Sequence, residues 1–113
     1  MEEQPLVVVK RSGAKEPFDR NKIVSGVLAA AKGRPVAPEQ VEVLASDVED
    51  RMRLEGLEVS VAQVGTAVLE SLRAIDEVAY MRFASVYKGF DAADDFQREL
   101  NLLAKGTAPK APR

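Results

Sequence analysis

Three cationic side chains lie close together near the start of the chain, at Lys10, Arg11 and Lys22. Gly13 falls between them in a Ser-Gly turn, and Lys22 falls in the first turn of a predicted helix. Polyphosphates are bound by point charges, by backbone amides at a helix N-terminus and by glycine turns that let the backbone come close. The segment "VVVKRSGAKEPFDRNKI", residues 7–23, therefore indicates a polyphosphate site.

The neighbouring residues suit the rest of a nucleotide. Phe18 and Ile23 can flank a base together with the apolar strand before the turn, and Arg11 can hold phosphate oxygens with its planar guanidinium. Asp19 partly opposes this interpretation, because its carboxylate would compete for the same helix amides. The structural alternative is a solvated hairpin turn, which spacing alone favours because Lys and Arg are mostly exposed. The sequence has neither a G-x-x-x-x-G-K-[ST] loop nor a G-x-G-x-x-G motif.

Composition excludes several other kinds of chemistry. The chain contains no cysteine and no histidine, so it has no disulfide, no thiolate or imidazole metal site and no Ser-His or Cys-His catalytic pair. Paired acids such as Asp94 and Asp95 face different ways on a helix, and no basic residue converges on them. We therefore expect no bound zinc in this chain and no enzyme activity.

The positive charge at the start of the chain is a local feature. The net charge is -2, yet residues 1–34 contain seven Lys or Arg against four Asp or Glu. Residues 39–99 contain six bases against fourteen acids. No apolar run approaches the roughly 20 residues that a membrane helix needs, and we expect no membrane partner.

The spacing of apolar residues predicts the elements that position the cations. Residues 6–18 predict a hairpin, with a β-branched run, a Ser-Gly turn and a return segment. Helices are predicted after Asp19, from Pro38, after Ser60, after Asp76 and over residues 91–103. The predicted fold class is therefore α+β and mainly α, with a short N-terminal β-hairpin packed on a bundle of four or five helices.

The length of 113 residues predicts one domain. We expect this domain to cover residues 5–103, between a disordered N-terminus at 1–4 and a polar, proline-rich, disordered tail at 104–113. The fourth predicted helix, "EVAYMRFASVYKGF", carries Tyr80 and Tyr87 at helical spacing. Such a stripe is more often core than a platform for stacking a base.

Two motifs together resemble a known family. "VVVKRSGAKEPFDRNKI" is similar to the opening of the ATP-cone, a regulatory nucleotide-binding domain with a hydrophobic strand followed by K-R-x-G, F-D and K-I. "DEVAYMRFASVYKGF" resembles the closing helix of the ATP-cone in the NrdR family, the bacterial transcriptional repressors of ribonucleotide reductase genes. The resemblance spans about residues 5–100.

The resemblance implies an effector, ATP or dATP, whose binding sets the oligomeric state and thereby operator binding. Magnesium is expected only as a companion of the triphosphate. By resemblance, Lys10 and Arg11 would meet phosphates, and Lys22 would reach the triphosphate from the first helical turn. The residues that would border base and sugar are Glu16, Phe18 and Ile23, with the backbone around Val9. The residues that would contact the nucleotide or a second subunit are Tyr80 and Tyr87.

The sequence also departs from the repressor family. That family carries a four-cysteine zinc ribbon before the cone and reads DNA with it, whereas this chain has no cysteine. The chain is then either a piece of a longer repressor or a relative that does not bind operators directly. The expected partners are adenine nucleotides and further copies of the chain, with DNA only where a zinc ribbon is supplied, and the expected location is the cytoplasm.

Two alternatives stay open at this point. The same cone could be the N-terminal allosteric domain of a ribonucleotide reductase large subunit. The second alternative belongs to a different functional class. It is a helical protein-interaction module without nucleotide, in which the aromatic fourth helix docks a partner.

Overall fold

A computed structural model describes residues 5–105. The predicted N-terminal tail at 1–4, and all but the first two residues of the predicted tail at 104–113, lie outside this range. Within it the chain forms five helices and three short strands, which confirms the α+β, mainly α class. In chain order the elements are β1 (Val7–Val9), β2 (Lys15–Pro17), α1 (Arg20–Ala30), α2 (Pro38–Glu55), β3 (Glu58–Ser60), α3 (Val61–Ile75), α4 (Glu77–Tyr87) and α5 (Ala93–Ala104).

The predicted hairpin forms and gains a third strand. Lys10 N donates to Ala14 O at 2.8 Å, and Gly13 closes the turn with a φ of 92° that favours glycine. The sheet order is β2-β1-β3, with β1 antiparallel to β2 and parallel to β3. The sequence did not predict β3, because three residues between two helices show no alternating pattern. Its pairing with β1 anchors the N-terminal hairpin to the start of α3.

Helices α1 to α4 form a bundle in which each packs on the next and α1 also packs on α4. The core is almost entirely aliphatic, with alanines where helices approach closely. Its most deeply buried large side chains are Val27, Val41, Val48, Met52, Val59, Val68, Leu69, Leu72 and Tyr80. Burial of each of these large aliphatic side chains stabilises the bundle by roughly 1.5–3 kcal/mol.

Three predicted helix starts are confirmed by their capping bonds. Asp19 Oδ1 accepts from Asn21 N at 3.0 Å, and Asp76 Oδ2 accepts from Ala79 N at 2.9 Å. At Ser60 the hydroxyl oxygen accepts from Gln63 N at 3.0 Å, while Gln63 Oε1 accepts from Ser60 N at 2.8 Å. The last pair is the capping box that the sequence predicts.

Polar contacts fix the C-terminal end of α1 against the start of α4. Arg34 Nε and Nη2 donate to the two carboxylate oxygens of Asp76 at 2.9 and 3.0 Å. One guanidinium nitrogen of Arg82 donates to Ala30 O and Lys32 O at 3.2 and 2.7 Å. The Arg34 hydrogen bond is the main reason that the pKa of Asp76 lies below its ordinary value.

Helix α5 is attached to α4 by a buried carboxylate. Glu99 is 3% exposed, accepts a hydrogen bond from the Tyr80 hydroxyl and pairs with Lys88 Nζ at 2.9 Å. Burial raises the pKa of the Tyr80 hydroxyl, and the neighbouring Glu99 adds to the shift. Helix α5 ends at Ala104, one residue past the predicted domain end. No helix in residues 5–105 has both the length and the apolar character to cross a membrane.

Candidate functional site

A pocket of about 180 Å³ lies where β2 and the first turn of α1 face α3 and α4. The N-terminal half of α3 and the C-terminal half of α4 supply its apolar wall. Its lining residues are Val8, Glu16, Pro17, Phe18, Asp19, Lys22, Ile23, Val61, Val64, Gly65, Val68, Phe83 and Tyr87. The pocket is therefore assembled from two segments of the chain that are distant in sequence.

The structure brings most of the predicted site residues together. The predicted residues that line the pocket are Glu16, Phe18, Lys22, Ile23 and Tyr87. Val9, Lys10 and Arg11 belong to the end of β1 and the hairpin turn beside it, outside the lining. Tyr80 is completely buried in the core and faces Glu99, so the structure separates it from the pocket. Its predicted role at a nucleotide has no geometric support.

Glu16 connects two of the three predicted cations. Its Oε1 lies 3.2 Å from Lys22 Nζ and 3.7 Å from Lys10 Nζ. The Lys22 hydrogen bond is the main cause that lowers the pKa of Glu16 below its ordinary value. The carboxylate thus holds both ammonium groups at the pocket edge, where an anion of higher charge could replace it.

Arg11 lies at the turn and is exposed. Within residues 5–105 it has no carboxylate within ion-pair distance. Its positive charge nevertheless acts on the Tyr87 hydroxyl, lowering the pKa of that group against the larger upward effect of burial. Arg11 therefore lies close enough to Tyr87 for its charge to act on that hydroxyl.

The backbone donors at the start of α1 are partly occupied. Asn21 N donates to Asp19 Oδ1 at 3.0 Å, and Lys22 N donates to the Asp19 carbonyl at 3.1 Å. The expectation that free amides at this helix start would help to hold phosphate is wrong for these two groups. These two amides are therefore already used within the chain, and the charged groups near this helix start are the side-chain cations.

The sequence interpretation missed the wall that faces the predicted cations. Val61, Val64 and Val68 on α3 form one side, and Phe83 on α4 stacks at 6.2 Å between ring centres with Tyr87. The one sequence signal was Gly65, an isolated glycine in the interior of a predicted helix, which often marks a close approach. A methyl group on Gly65 would overlap the Tyr87 ring.

The arrangement suits a ligand with a flat apolar part and a polyanionic part. The lining is mostly aliphatic and aromatic, while Lys22 lies in the lining and Lys10 lies beside it, both paired with Glu16. Residues 5–105 contain no group of three or more His, Cys, Asp or Glu side chains that could hold a metal ion.

The ATP cone domain model matches residues 6–93, which include every residue that lines the pocket. The chain belongs to the ATP-cone family. Family membership supports a regulatory nucleotide-binding domain and confirms the resemblance drawn from the two motifs. The match ends at the first residue of α5, so most of that helix lies outside the common ATP-cone.

The ATP-cone relatives with strong similarity are bacterial repressors. The chain is 56% identical over 99 residues to "Transcriptional repressor NrdR" of a Nocardioides species. It is 48% identical over 106 residues to the protein of that name from Corynebacterium diphtheriae, and 50% identical over 108 residues to the one from Mycobacterium avium. These names favour the repressor over the reductase alternative, and they agree with the prediction that the chain is not an enzyme.

The ATP-cone chain is shorter than these repressors. The matched part covers 87% of this chain but 58% of the Nocardioides protein. For the Corynebacterium diphtheriae and Mycobacterium avium proteins it covers 93% and 95% of this chain and 70% of each relative. The similarity therefore concerns only part of the length of each repressor.

Proposed function

We propose that this ATP-cone is the nucleotide sensor of a transcriptional repressor of ribonucleotide reductase genes, and that ATP or dATP binds in the pocket between the hairpin and helices α3 and α4. The observation that carries the proposal is the meeting of Lys10 and Lys22 at Glu16 on the edge of an apolar pocket. A triphosphate competes with the single carboxylate for both lysines, and it wins because it carries more charge.

Each predicted residue except Tyr80 then has a role. Lys10, Arg11 and Lys22 bind the phosphates, and Mg²⁺ accompanies the triphosphate without protein ligands of its own. Phe18 and Ile23 contact the base from the α1 side, close to the sheet residue Val8 and the strand that contains Val9. Glu16, once released by the lysines, lies where the sugar joins base and phosphates. Tyr87 faces this volume from α4.

The ligand state controls self-association in this proposal. The ligand must bind one assembly more tightly than another, because a ligand with equal affinity for both shifts nothing. The homo-oligomer then determines whether DNA-binding parts of the full repressor reach an operator. Such a protein works in the cytoplasm. The operator contacts themselves belong to a zinc ribbon outside this chain.

Calorimetric titration with Mg-ATP and Mg-dATP tests the binding site. Saturable binding is expected, and Lys22→Ala should weaken it about tenfold or more, since a hydrogen bond to a charged group contributes about 1.5–3 kcal/mol. Arg11→Ala should weaken it in the same direction. Lys15→Ala is the matched control, because Lys15 lies on the same hairpin but pairs with Glu58 at 2.9 Å. Equal affinity in all four proteins would refute the residue assignments.

Light scattering coupled to size exclusion tests the control of assembly. The mass of the particle is measured without ligand, with ATP and with dATP. We expect the mass to differ between ligand states and this difference to vanish in Lys22→Ala at the same nucleotide concentration. A mass that is indifferent to nucleotide would favour the plain helical interaction module instead.

A further inference from the structure

Tyr87 occupies space that a ligand in the pocket would need. Its ring lies directly on the backbone of α3 at Gly65, where any side chain would overlap it. Its hydroxyl donates toward Val61 O and Ala62 O, at 3.2 and 3.0 Å. Glycine in a helix interior is destabilising relative to alanine, so Gly65 is explained by the ring that it admits.

The remaining pocket is small for a nucleotide. Its volume of about 180 Å³ is below the roughly 300–1,000 Å³ of typical ligand pockets. On the other side of the same aromatic residues, a groove of about 580 Å³ runs between α1 and α4. Gly26, Ala29 and Ala30 form its floor, and Phe83 and Tyr87 line both the groove and the pocket. A rotation of Tyr87 away from Gly65 would lead into this groove.

We propose that Tyr87 is a gate with two positions: closed on Gly65, where it fills part of the nucleotide pocket, and open in the groove between α1 and α4. The gate rests on the proposed nucleotide function. The observed closed position is held by the hydroxyl contacts at the start of α3 and by burial of the ring on Gly65. The small side chains at Gly26 and Ala29 leave room for the ring in the open position.

The gate has a consequence for affinity. A ligand that needs the open state binds with an apparent Kd equal to the intrinsic Kd divided by the open fraction. Changes that weaken the closed position therefore tighten binding, even though they remove contacts of Tyr87. For a residue that serves only as a ligand contact, removing its contacts would weaken ligand binding instead.

Side-chain NMR without any nucleotide tests whether the second position exists. The chain has two tyrosines, and Tyr80, buried beside Glu99, is an internal reference for the ring signals. In the wild type the Tyr87 ring should show nuclear Overhauser effects to Gly65. In Gly65→Ala the ring should lose contact with α3 and show nuclear Overhauser effects to the Ala29 methyl group. If these effects to Ala29 are absent in the variant, the proposed second position of Tyr87 does not exist.

Gly26→Ala is the matched control for this experiment. A methyl group there would lie 3.4 Å from the Phe83 ring, which is an ordinary contact, and it does not touch Tyr87 in the closed position. We expect this variant to keep the wild-type effects between Tyr87 and residue 65. Loss of those effects in Gly26→Ala as well would show that added methyl groups disturb α1 and α3 generally, and would overturn the specific role of Gly65.

Calorimetry with Mg-ATP tests the gate itself. Tyr87→Phe retains the ring and removes the hydroxyl, and it should tighten ATP binding about fivefold, the factor that one ordinary hydrogen bond provides. Gly65→Ala should tighten binding in the same direction. Unchanged or weaker binding by Tyr87→Phe would overturn the gate. Absence of binding by the wild type would contradict the proposed function, while the ligand-free NMR result would still decide whether Tyr87 has two positions.

Discussion

At the scale of single residues, Glu16 is the side chain on which the ligand-free site depends. It is the shared partner of Lys10 and Lys22, and it keeps both ammonium groups close to the pocket when no phosphate is present. This arrangement is an advantage for binding, because cations that are already positioned lose less conformational freedom when a ligand arrives. The cost is that the ligand has to displace a carboxylate.

The Glu16 carboxyl group gives a direct test of this arrangement. Its pKa lies below the ordinary 4.5, and the Lys22 hydrogen bond is the largest cause. We expect Lys22→Ala to raise the Glu16 pKa toward 4.5, and Lys10→Ala to raise it less, in a carbon-detected NMR titration of the ligand-free protein. Lys15→Ala is the control and should leave the Glu16 titration unchanged. A larger effect from Lys10→Ala would reverse the assigned order of the two lysines.

Asp76 predicts how stability depends on pH. Its pKa is lowered from 3.8, so the Arg34 ion pair stabilises the fold above that pH and is lost as the pH falls through the lowered value. Asp76→Asn should therefore reduce Tm at neutral pH, and the difference from the wild type should shrink in acid. Asparagine keeps the helix cap, so the change isolates the ion pair.

Glu42→Gln is the matched control for Asp76→Asn. Glu42 pairs with Arg20 at 3.6 Å, but both side chains are exposed, and such surface pairs contribute little. Thermal unfolding between neutral pH and the acid limit of the folded state should show no difference between Glu42→Gln and the wild type. A pH-independent loss in Asp76→Asn would mean that the Arg34 pair does not stabilise the fold.

At the scale of elements, the start of α3 connects the sheet to the pocket wall. Ser60 ends β3 opposite Val9 and also caps α3, whose first turns carry Val61 and Gly65 to the pocket. Removing the cap in Ser60→Ala should cost about 1 kcal/mol, or a fall of roughly 5 °C in Tm. Ser25→Ala, at an exposed position inside α1, is the control and should be neutral or slightly stabilising.

The Ser60→Ala result can be read by calorimetric or circular dichroism melting. Equal Tm values for Ser60→Ala and the wild type would show that the hydrogen bond from Gln63 N to the Ser60 hydroxyl contributes nothing net. If Ser60→Ala lowers ATP affinity but not Tm, the cap would act on the position of the pocket wall formed by α3 and not on the stability of the fold.

The elements also show what the sequence could and could not predict. Helix starts at Asp19, Ser60 and Asp76 were predictable because each depends on a side chain bonding two or three residues ahead. The hairpin was also predictable, because its two strands and its Ser-Gly turn are adjacent in the sequence. Strand β3 was not, since its only partner in the sheet is β1, about fifty residues earlier, and three residues carry no period.

The residues of the candidate site also differ in whether the sequence could predict them. Glu16, Phe18, Lys22 and Ile23 were predictable because they belong to one continuous motif. The wall from α3 was not, because it depends on how the bundle folds back on the hairpin. Tyr87 was expected near the site only through the resemblance, and its close approach to Gly65 could not be predicted, since no local pattern links the two residues.

At the scale of the whole molecule, the pocket joins the two ends of the fold. One side is the hairpin with α1, and the other is α3 with α4, so a ligand in the pocket contacts elements that pack on one another. A ligand that binds only the folded state stabilises all of them by mass action. Thermal unfolding therefore reports on the proposed site when all variants are compared at one protein concentration, since a change of assembly adds its own stabilisation.

The size of this stabilisation can be predicted. With ATP at 100 times its Kd, the free energy of unfolding should rise by about 2.7 kcal/mol, which corresponds to roughly 10 °C in Tm for a domain of this size. At the same ATP concentration a variant with tenfold weaker binding, as expected for Lys22→Ala, should gain only about 1.4 kcal/mol, or half the shift. Lys15→Ala should show the full shift, because its side chain pairs with Glu58 away from the pocket. Equal Tm shifts in Lys22→Ala and the wild type would place the nucleotide elsewhere on the molecule. The reason is that losing a phosphate contact raises the Kd, and a higher Kd must give a smaller stabilisation by ATP.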